Sequence, residues 1–364
     1  MYQRRCERAQ EMMKEKGIDW LFVSLSSDMV YLTGINRHPS ERLTLLMVPR
    51  EGRPKMIIPA FEAVKLEVEG HEIFYDVLTW DETDDPIAHV ADAVSADATV
   101  AVGEKMWSGF LIKIQEVLPE ASYVDASDVL VPLRIRKDDA EISALQRVGE
   151  LMDLVFTDVC SLRFAGRTEV EVGGDVFDIA RQHGLNPTRA GGVSAGPNSA
   201  SPHHASGQYT IEEGDAIWVE LGQGGGYDNY AADMTRAFHV GEPSEKYIQA
   251  YRAVLAGFNA AFEAARPGVT CQDVDRAARQ VISDAGFGDY FIHRVGHGLG
   301  IDGHEPPWMV EGNTDLVETG MVFSVEPGVY IPGEFGIRVE DIVYVTDDGA
   351  RSIYTATRDW VVVQ

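Results

Sequence analysis

Apolar residues recur at helical spacing over residues 2–16 and then give way to Trp20-Leu-Phe-Val-Ser24, an apolar run too short for a helix, which predicts a buried strand. The alternation continues. Leu43-Thr-Leu-Leu-Met-Val48, Lys55-Met-Ile-Ile58, Thr99-Val-Ala-Val102 and Tyr123-Val124 read as strands, with helical patterns around 60–68, 85–95 and 107–117. Strands alternating with helices over about 130 residues predict an α/β domain. It holds no cluster of His, Cys or carboxylates of catalytic type, so we read it as scaffold and dimer contact, with a loop closing over a partner's site as the alternative.

The polar segment Arg134-Ile-Arg-Lys-Asp-Asp-Ala-Glu141 ends this domain and divides the chain into residues 1–134 and 135–364. A long helical pattern over 138–164 follows. Thr168 precedes Glu171 by three residues, a capping-box spacing that opens a second helix to about 184. Residues 215–222 and 229–238 then read as a strand and its return, joined by the glycine-rich turn Gln223–Asp228. Two further helices, 243–265 and 271–285, precede a second hairpin made of Met321–Gly328 and Gly336–Val345. Two helices and a hairpin, repeated, predict an α+β domain duplicated in architecture.

The chemistry concentrates in this second half. His293-Arg-Val-Gly-His297-Gly-Leu-Gly-Ile-Asp-Gly-His304-Glu305 brings three histidines and four glycines into thirteen residues. Imidazole is the commonest metal ligand, and glycine lets backbone approach a ligand closely. Glu220, Asp233, Glu326 and Glu340 each interrupt an apolar strand pattern, where a carboxylate is costly unless paired or bound to a cation. Other spellings are weaker. Gly192-Val-Ser194-Ala-Gly196 matches a nucleophile elbow, but Pro197 and Pro202 forbid the helix that must follow. The turn at 223–228 resembles a dinucleotide fingerprint, with Tyr227 in the last glycine position and no helix after it. His203 and His204, taken alone, read as solvent-facing.

Composition narrows the partners. A net charge of −27 disfavours nucleic acid and anionic membranes, and only eight of the 31 basic residues are lysine, a balance suited to concentrated salt. No apolar run is long enough to span a membrane, no secretory signal opens the chain, and three scattered cysteines form no framework. The expected setting is a reducing cytoplasm.

Together, Glu220, Asp233, His297, Glu326 and Glu340 are hard ligands that suit two divalent ions. With Pro202-His203, Asp233-Met-Thr-Arg236, His293-x-x-x-His297-Gly-x-Gly, His304-Glu-x-Pro, Glu326-Pro-Gly-x-Tyr330 and Gly336-Ile-Arg-Val-Glu340-Asp, the chain resembles the M24 metallopeptidases. Within them it is similar to the Xaa-Pro aminopeptidase and prolidase branch, whose amino-terminal domain the first half also resembles. The resemblance implies a pita-bread catalytic domain, commonly dimeric, acting on proline-containing peptides. It implies that Glu220 chelates one metal, that Asp233 and Glu340 bridge two, and that His297 and Glu326 hold the other. Manganese is expected, with cobalt, zinc or iron as alternatives. A water between ions about 3.5–4 Å apart loses its proton readily and can attack the scissile carbonyl. Glu326 resembles the proton shuttle, His203 and His304 resemble hydrogen-bond donors to substrate and intermediate, and His293 would line the proline pocket.

Two departures matter. The first ligand is normally aspartate, and Glu220 reaches about 1.5 Å further. That leaves open a metal-free hydrolase like creatinase, or a non-catalytic binding protein on the same fold. Some prolidases also carry an arginine after His-Glu-x-Pro, where Trp308 stands here. Arg338 remains as a candidate substrate ligand or as a brace for Glu340, and the expectation tilts toward an aminopeptidase acting on longer peptides.

Overall fold

The computed structural model describes residues 1–187, 192–221, 226 and 228–364. Its first unit, Met1–Arg134, is built on a six-stranded mixed sheet. In chain order it contains α1 (Tyr2–Lys16), β1 (Trp20–Ser24), α2 (Ser27–Thr33), β2 (Leu45–Pro49), β3 (Lys55–Pro59), α3 (Ala60–Val68), β4 (Asp76–Trp80), α4 (Ala88–Ala93), β5 (Thr99–Val102), α5 (Ser108–Val117), β6 (Ser122–Asp125) and α6 (Ser127–Arg134). The strand order is β4-β3-β2-β1-β5-β6. Leu21, Phe22, Leu45, Leu46, Met47, Met56 and Ile57 are all fully buried, so the central strands are covered on both faces and read as unbroken apolar runs. The pattern did not reveal β4, an edge strand with only Trp80 buried, nor the short helices α2 and α6.

The second unit, Ile135–Gln364, opens with α7 (Asp139–Val159) and α8 (Glu169–Gln182). Both start in capping boxes, Asp138 with Glu141 and Thr168 with Glu171, which satisfy backbone donors at each helix start. They cover a sheet of β7 (Gly192–Ala195), β8 (Ala216–Leu221) and β9 (Met234–Val240), closed by β17 (Val361–Val363). Next come α9 (Glu245–Ala264) and α10 (Cys271–Asp284). They share an apolar core with residues of β10 (Gly296–Gly298), β11 (Glu305–Met309), β12 (Val322–Val325), β13 (Gly328–Ile331), β14 (Phe335–Arg338), β15 (Asp341–Thr346) and β16 (Gly349–Ser352) or of the turns beside them. Each helix pair thus covers its own strands, and the repeat read from the pattern has a physical counterpart.

The second hairpin needs correcting. It is two pairings: β12 with β15 in a five-stranded sheet, and β13 with β14 in a separate two-stranded ribbon. The chain breaks between them at Glu326-Pro327 and at Val339-Glu340, so both acids stand at strand ends rather than within strands. A carboxylate at a break can turn away from the apolar faces on either side. Ser194 lies fully buried in β7, followed by a 3₁₀ turn over Gly196–Ala200 with Pro197 near its start, so it is no exposed nucleophile. Most of the glycine-rich turn, with Tyr227, falls outside the described residues. Among the described residues no helix is long and apolar enough to cross a membrane.

Candidate metal centre

Five segments bring acids and a histidine together in the second unit. Glu220 lies in β8 directly opposite Thr235 of β9, and Asp233 immediately precedes β9. Glu340 is stitched to the same strand, its N–H donating to Thr235 O at 3.1 Å and its Oε2 accepting from Thr235 Oγ1 at 2.6 Å. His297 is the middle residue of β10, and Glu326 follows β12. Glycine makes the β10 position possible, since a Cβ on Gly296 would overlap Ser324 O, and one on Gly298 the backbone of Glu305 and Pro306. Here the glycines admit neighbouring backbone, not only a ligand.

The donor atoms of His297, Glu326 and Glu340 lie within 4.8 Å of one another, as do those of Asp233, His297 and His304. His297 donates Nδ1–H to Gly298 O at 3.1 Å, leaving Nε2 toward Glu326 Oε1 at 3.1 Å, the tautomer a metal ligand requires. Ser324 Oγ braces both, accepting from His297 N at 3.0 Å and donating to Glu326 Oε1 at 3.1 Å. Asp233 Oδ1 is buried with no hydrogen-bond partner among the described residues. An orphaned buried carboxylate oxygen among three other acids is what a cation would satisfy, and the oxygen-rich donor set suits hard divalent ions.

The electrostatics agree. Burial, then the charges of Glu340, Glu220 and Glu326, push the Asp233 carboxyl far above the carboxylate range. Burial and Glu326 push Glu340 up to about 8. Burial also acts on Glu326, but the His297 and His293 rings and Arg338 outweigh it and hold that carboxyl low. Burial would lower His297, and Glu326 reverses the effect, so the ring binds a proton more readily than a free imidazole.

Glu220 stands outside both ligand groups, and its Oε2 accepts from Arg338 Nη2 at 2.6 Å. Arg338 is 4% exposed, donates also to Thr235 Oγ1 at 3.0 Å and Pro202 O at 3.0 Å, and lies 4.6 Å from the centre of the Trp218 ring. Sequence left it between binding substrate and bracing a ligand. Its donors are directed inward, at Glu220, at the strand to which Glu340 is bonded and at the loop that carries His203, as bracing would require.

Three more histidines surround the centre. His304 is exposed and stacks on His297 with ring centroids 3.7 Å apart; burial of its ring nitrogens and the His297 charge push it down to about 4, so it is neutral at pH 7. His293 contacts Arg294 O at 2.7 Å through Nδ1 and the Tyr330 hydroxyl at 3.1 Å through Nε2, and burial lowers its affinity for a proton. His203 is exposed, near enough for its charge to act on His293.

Several supports were not assigned roles from sequence. Arg236 and Asp341, both fully buried, pair at 2.8 Å, and Arg236 Nη1 also donates to Glu340 O at 2.6 Å, bracing that ligand's backbone. Lys137 Nζ donates to Glu305 Oε1 at 2.7 Å, tying down the residue after His304. Asp275 accepts from Val295 N at 2.8 Å, just before β10. The Tyr354 hydroxyl donates to Asp233 O. The only sequence signal was the motif spelling around Arg236 and Asp341; Lys137, Asp275 and Tyr354 lie far along the chain from the groups they hold.

A family model, "Metallopeptidase family M24", matches residues 143–347, more than half of the chain. The chain belongs to metallopeptidase family M24. A second model, "Creatinase/Prolidase N-terminal domain", matches residues 5–136 of this M24 protein. Among its curated relatives, a probable dipeptidase PepE of Mycobacterium tuberculosis is 37% identical over 366 residues, covering 100% of this chain and 97% of its own. An Xaa-Pro dipeptidase of Lactobacillus helveticus is 32% identical, covering 98% of each chain. A crystal structure of recombinant prolidase from Thermococcus sibiricus superposes with a TM-score of 0.94 at 32% identity, covering 100% of this M24 chain and 99% of its own.

Proposed function

We propose that this M24 chain is a metal-dependent exopeptidase that hydrolyses the Xaa-Pro bond, with dipeptides as its preferred substrates. The observation that carries the reading is that His297 belongs to two clusters of ligand atoms, one with Glu326 and Glu340 and one with Asp233 and His304, and that Asp233 Oδ1 is buried with no hydrogen-bond partner among the described residues. Two divalent ions, manganese foremost, would polarise the scissile carbonyl and lower the pKa of the attacking water. Asp233, His297, Glu326 and Glu340 would hold them, with Glu220 joining on leaving or sharing Arg338.

The remaining roles belong to this chain's own groups. Glu326, held ionised by its neighbours, accepts the proton given up in attack. His304, neutral at pH 7, can donate one N–H to the developing oxyanion, and His203 reaches the substrate from the opposite loop. His293 turns its ring toward Tyr330 and lines the proline pocket.

Dipeptide preference rests on two supports. Relatives covering the full chain carry the names dipeptidase and Xaa-Pro dipeptidase. A dipeptide also places its free carboxylate one residue beyond the scissile bond, where it needs a cation. Trp308 pairs directly across from His297 in the β10–β11 ladder, so their side chains share a face of the sheet, and the Arg294 guanidinium lies 4.4 Å from the centre of the Trp308 ring. No acid is seen paired with Arg294 among the described residues. It would take the part of the arginine that is missing after His-Glu-x-Pro. A homodimer in a reducing cytoplasm belongs to the same reading, in keeping with the free thiols of Cys6, Cys160 and Cys271.

The test is hydrolysis of an Xaa-Pro dipeptide, its C-terminal amide and an Xaa-Pro-Xaa tripeptide by manganese-loaded protein. The dipeptide is expected to be preferred, and chelation or Asp233→Asn to abolish turnover. Arg294→Ala should raise KM for the free acid by roughly tenfold or more, as for loss of a charge-assisted hydrogen bond, while leaving the amide unchanged. Equal turnover of all three substrates would restore the aminopeptidase expectation, and activity surviving chelation would overturn the metal-dependent reading.

A further inference from the structure

Glu169 is a carboxylate with no exposure at all, set at the first position of α8, far along the chain from every candidate ligand. Its donors all come from a single segment. Oε1 accepts from Ala195 N at 2.9 Å and Asn198 Nδ2 at 3.2 Å; Oε2 accepts from His204 Nε2 at 2.8 Å and Gly207 N at 3.0 Å. These four bonds draw the two ends of the 195–207 loop onto one group. Neighbouring backbone bonds, Val170 N to Gly207 O at 3.0 Å and Glu169 N to Tyr209 O at 3.1 Å, fasten the loop's exit to the same helix start.

His203 lies between two pins. On one side the Pro202 carbonyl accepts from Arg338 Nη1 at 3.0 Å, and Arg338 also grips Glu220. On the other side, His204 is bound to Glu169. A histidine on an exposed loop ordinarily samples several backbone states, whereas here the peptide unit before it and the side chain of the residue after it are held by buried charged groups.

We propose that Glu169 and His204 are a positioning pair that sets the loop carrying His203 for the reaction, while neither touches the reacting atoms. The proposal rests on the reading of His203 as a substrate-binding group. It makes His204 a functional residue rather than a solvent-facing one. His204 acts through His203 alone, so its contribution vanishes when His203 is removed.

The experiment uses the manganese-loaded full chain and compares wild type, His203→Ala, His204→Ala, the double variant, His204→Gln and His204→Met, measuring kcat, KM, bound metal and Tm. His204→Ala is expected to lower kcat on an Xaa-Pro dipeptide by about tenfold, the scale of a lost outer-shell partner, with bound metal unchanged. In the His203→Ala background the same change should add less than about twofold. His204→Gln keeps an N–H for Glu169 and should recover most of kcat, whereas His204→Met, similar in length but without a donor, should not. Because that pair differs in the donor, the comparison stands even if His204→Ala folds poorly. An active wild type indifferent to His204→Ala, a loss that adds in full to that of His203→Ala, or equal kcat for the Gln and Met variants overturns the pair. A wild type that turns over no Xaa-Pro peptide overturns the functional reading, and the pair's role with it.

Discussion

Asp233 and Glu340 show what the site demands of single residues. Both bind protons more tightly in the metal-free fold than an ordinary carboxylate does, because each is buried beside other acids. A group whose pKa rises on folding contributes stability that is fully present below its unfolded value and lost as pH rises through its folded value. For Glu340 the window runs from the ordinary carboxylate range to about 8. Chelator-stripped protein is therefore expected to lose Tm between about pH 5 and about pH 8, and manganese to remove most of that loss by replacing the protons. The Glu340→Gln variant controls for the acidic surface, since it lacks the site contribution but keeps the rest of the charge. An equal pH slope in the stripped wild type and this variant would locate the effect elsewhere. Residue types at these positions were legible in sequence because an acid in apolar pattern is an anomaly. The state of their protons was not, because it depends on which acids meet.

At the scale of elements, the pattern of 2–16, 20–24, 60–68 and 271–285 already describes α1, β1, α3 and α10 to within a residue or two, since each is a continuous local run of the chain. It could not separate β12–β15 from β13–β14, because one long apolar alternation spells either a single hairpin or two short ones. What divides them is the tie between Glu340 and β9, reinforced by Arg236 reaching across to Asp341. That pair is sealed from solvent, and Asp341 also accepts from Ser352 Oγ at 2.7 Å and from Arg358. Removing one partner of a buried pair leaves an uncompensated charge, which costs about 3–5 kcal/mol. Asp341→Ala should shift urea unfolding by that amount and weaken metal binding through Glu340. A loss below about 1 kcal/mol would show that Arg236 finds other partners, in the range of exposed pairs.

For the whole molecule, a net charge of −27 on 364 residues sets a repulsion that every local contact works against. Raising salt from about 0.1 M to about 1 M shortens the screening length from about 10 Å to about 3 Å. Tm of the metal-loaded protein should rise over this range, and a flat or falling response would mean that surface ion pairs already balance the charge. Sequence by itself determined the alternation of strands and helices, the acidic surface, the helix starts at Asp138 and Thr168, and the list of acids and histidines that sit badly in apolar pattern. These depend on spacing along the chain and on local hydrogen bonds. Only the tertiary structure decided that Glu220 pairs with Arg338, that Asp233 keeps an unpartnered oxygen and that Glu169 holds the loop of His203. Each of those joins groups from separate segments, and the energy of a buried charge is set by the neighbours that folding brings to it.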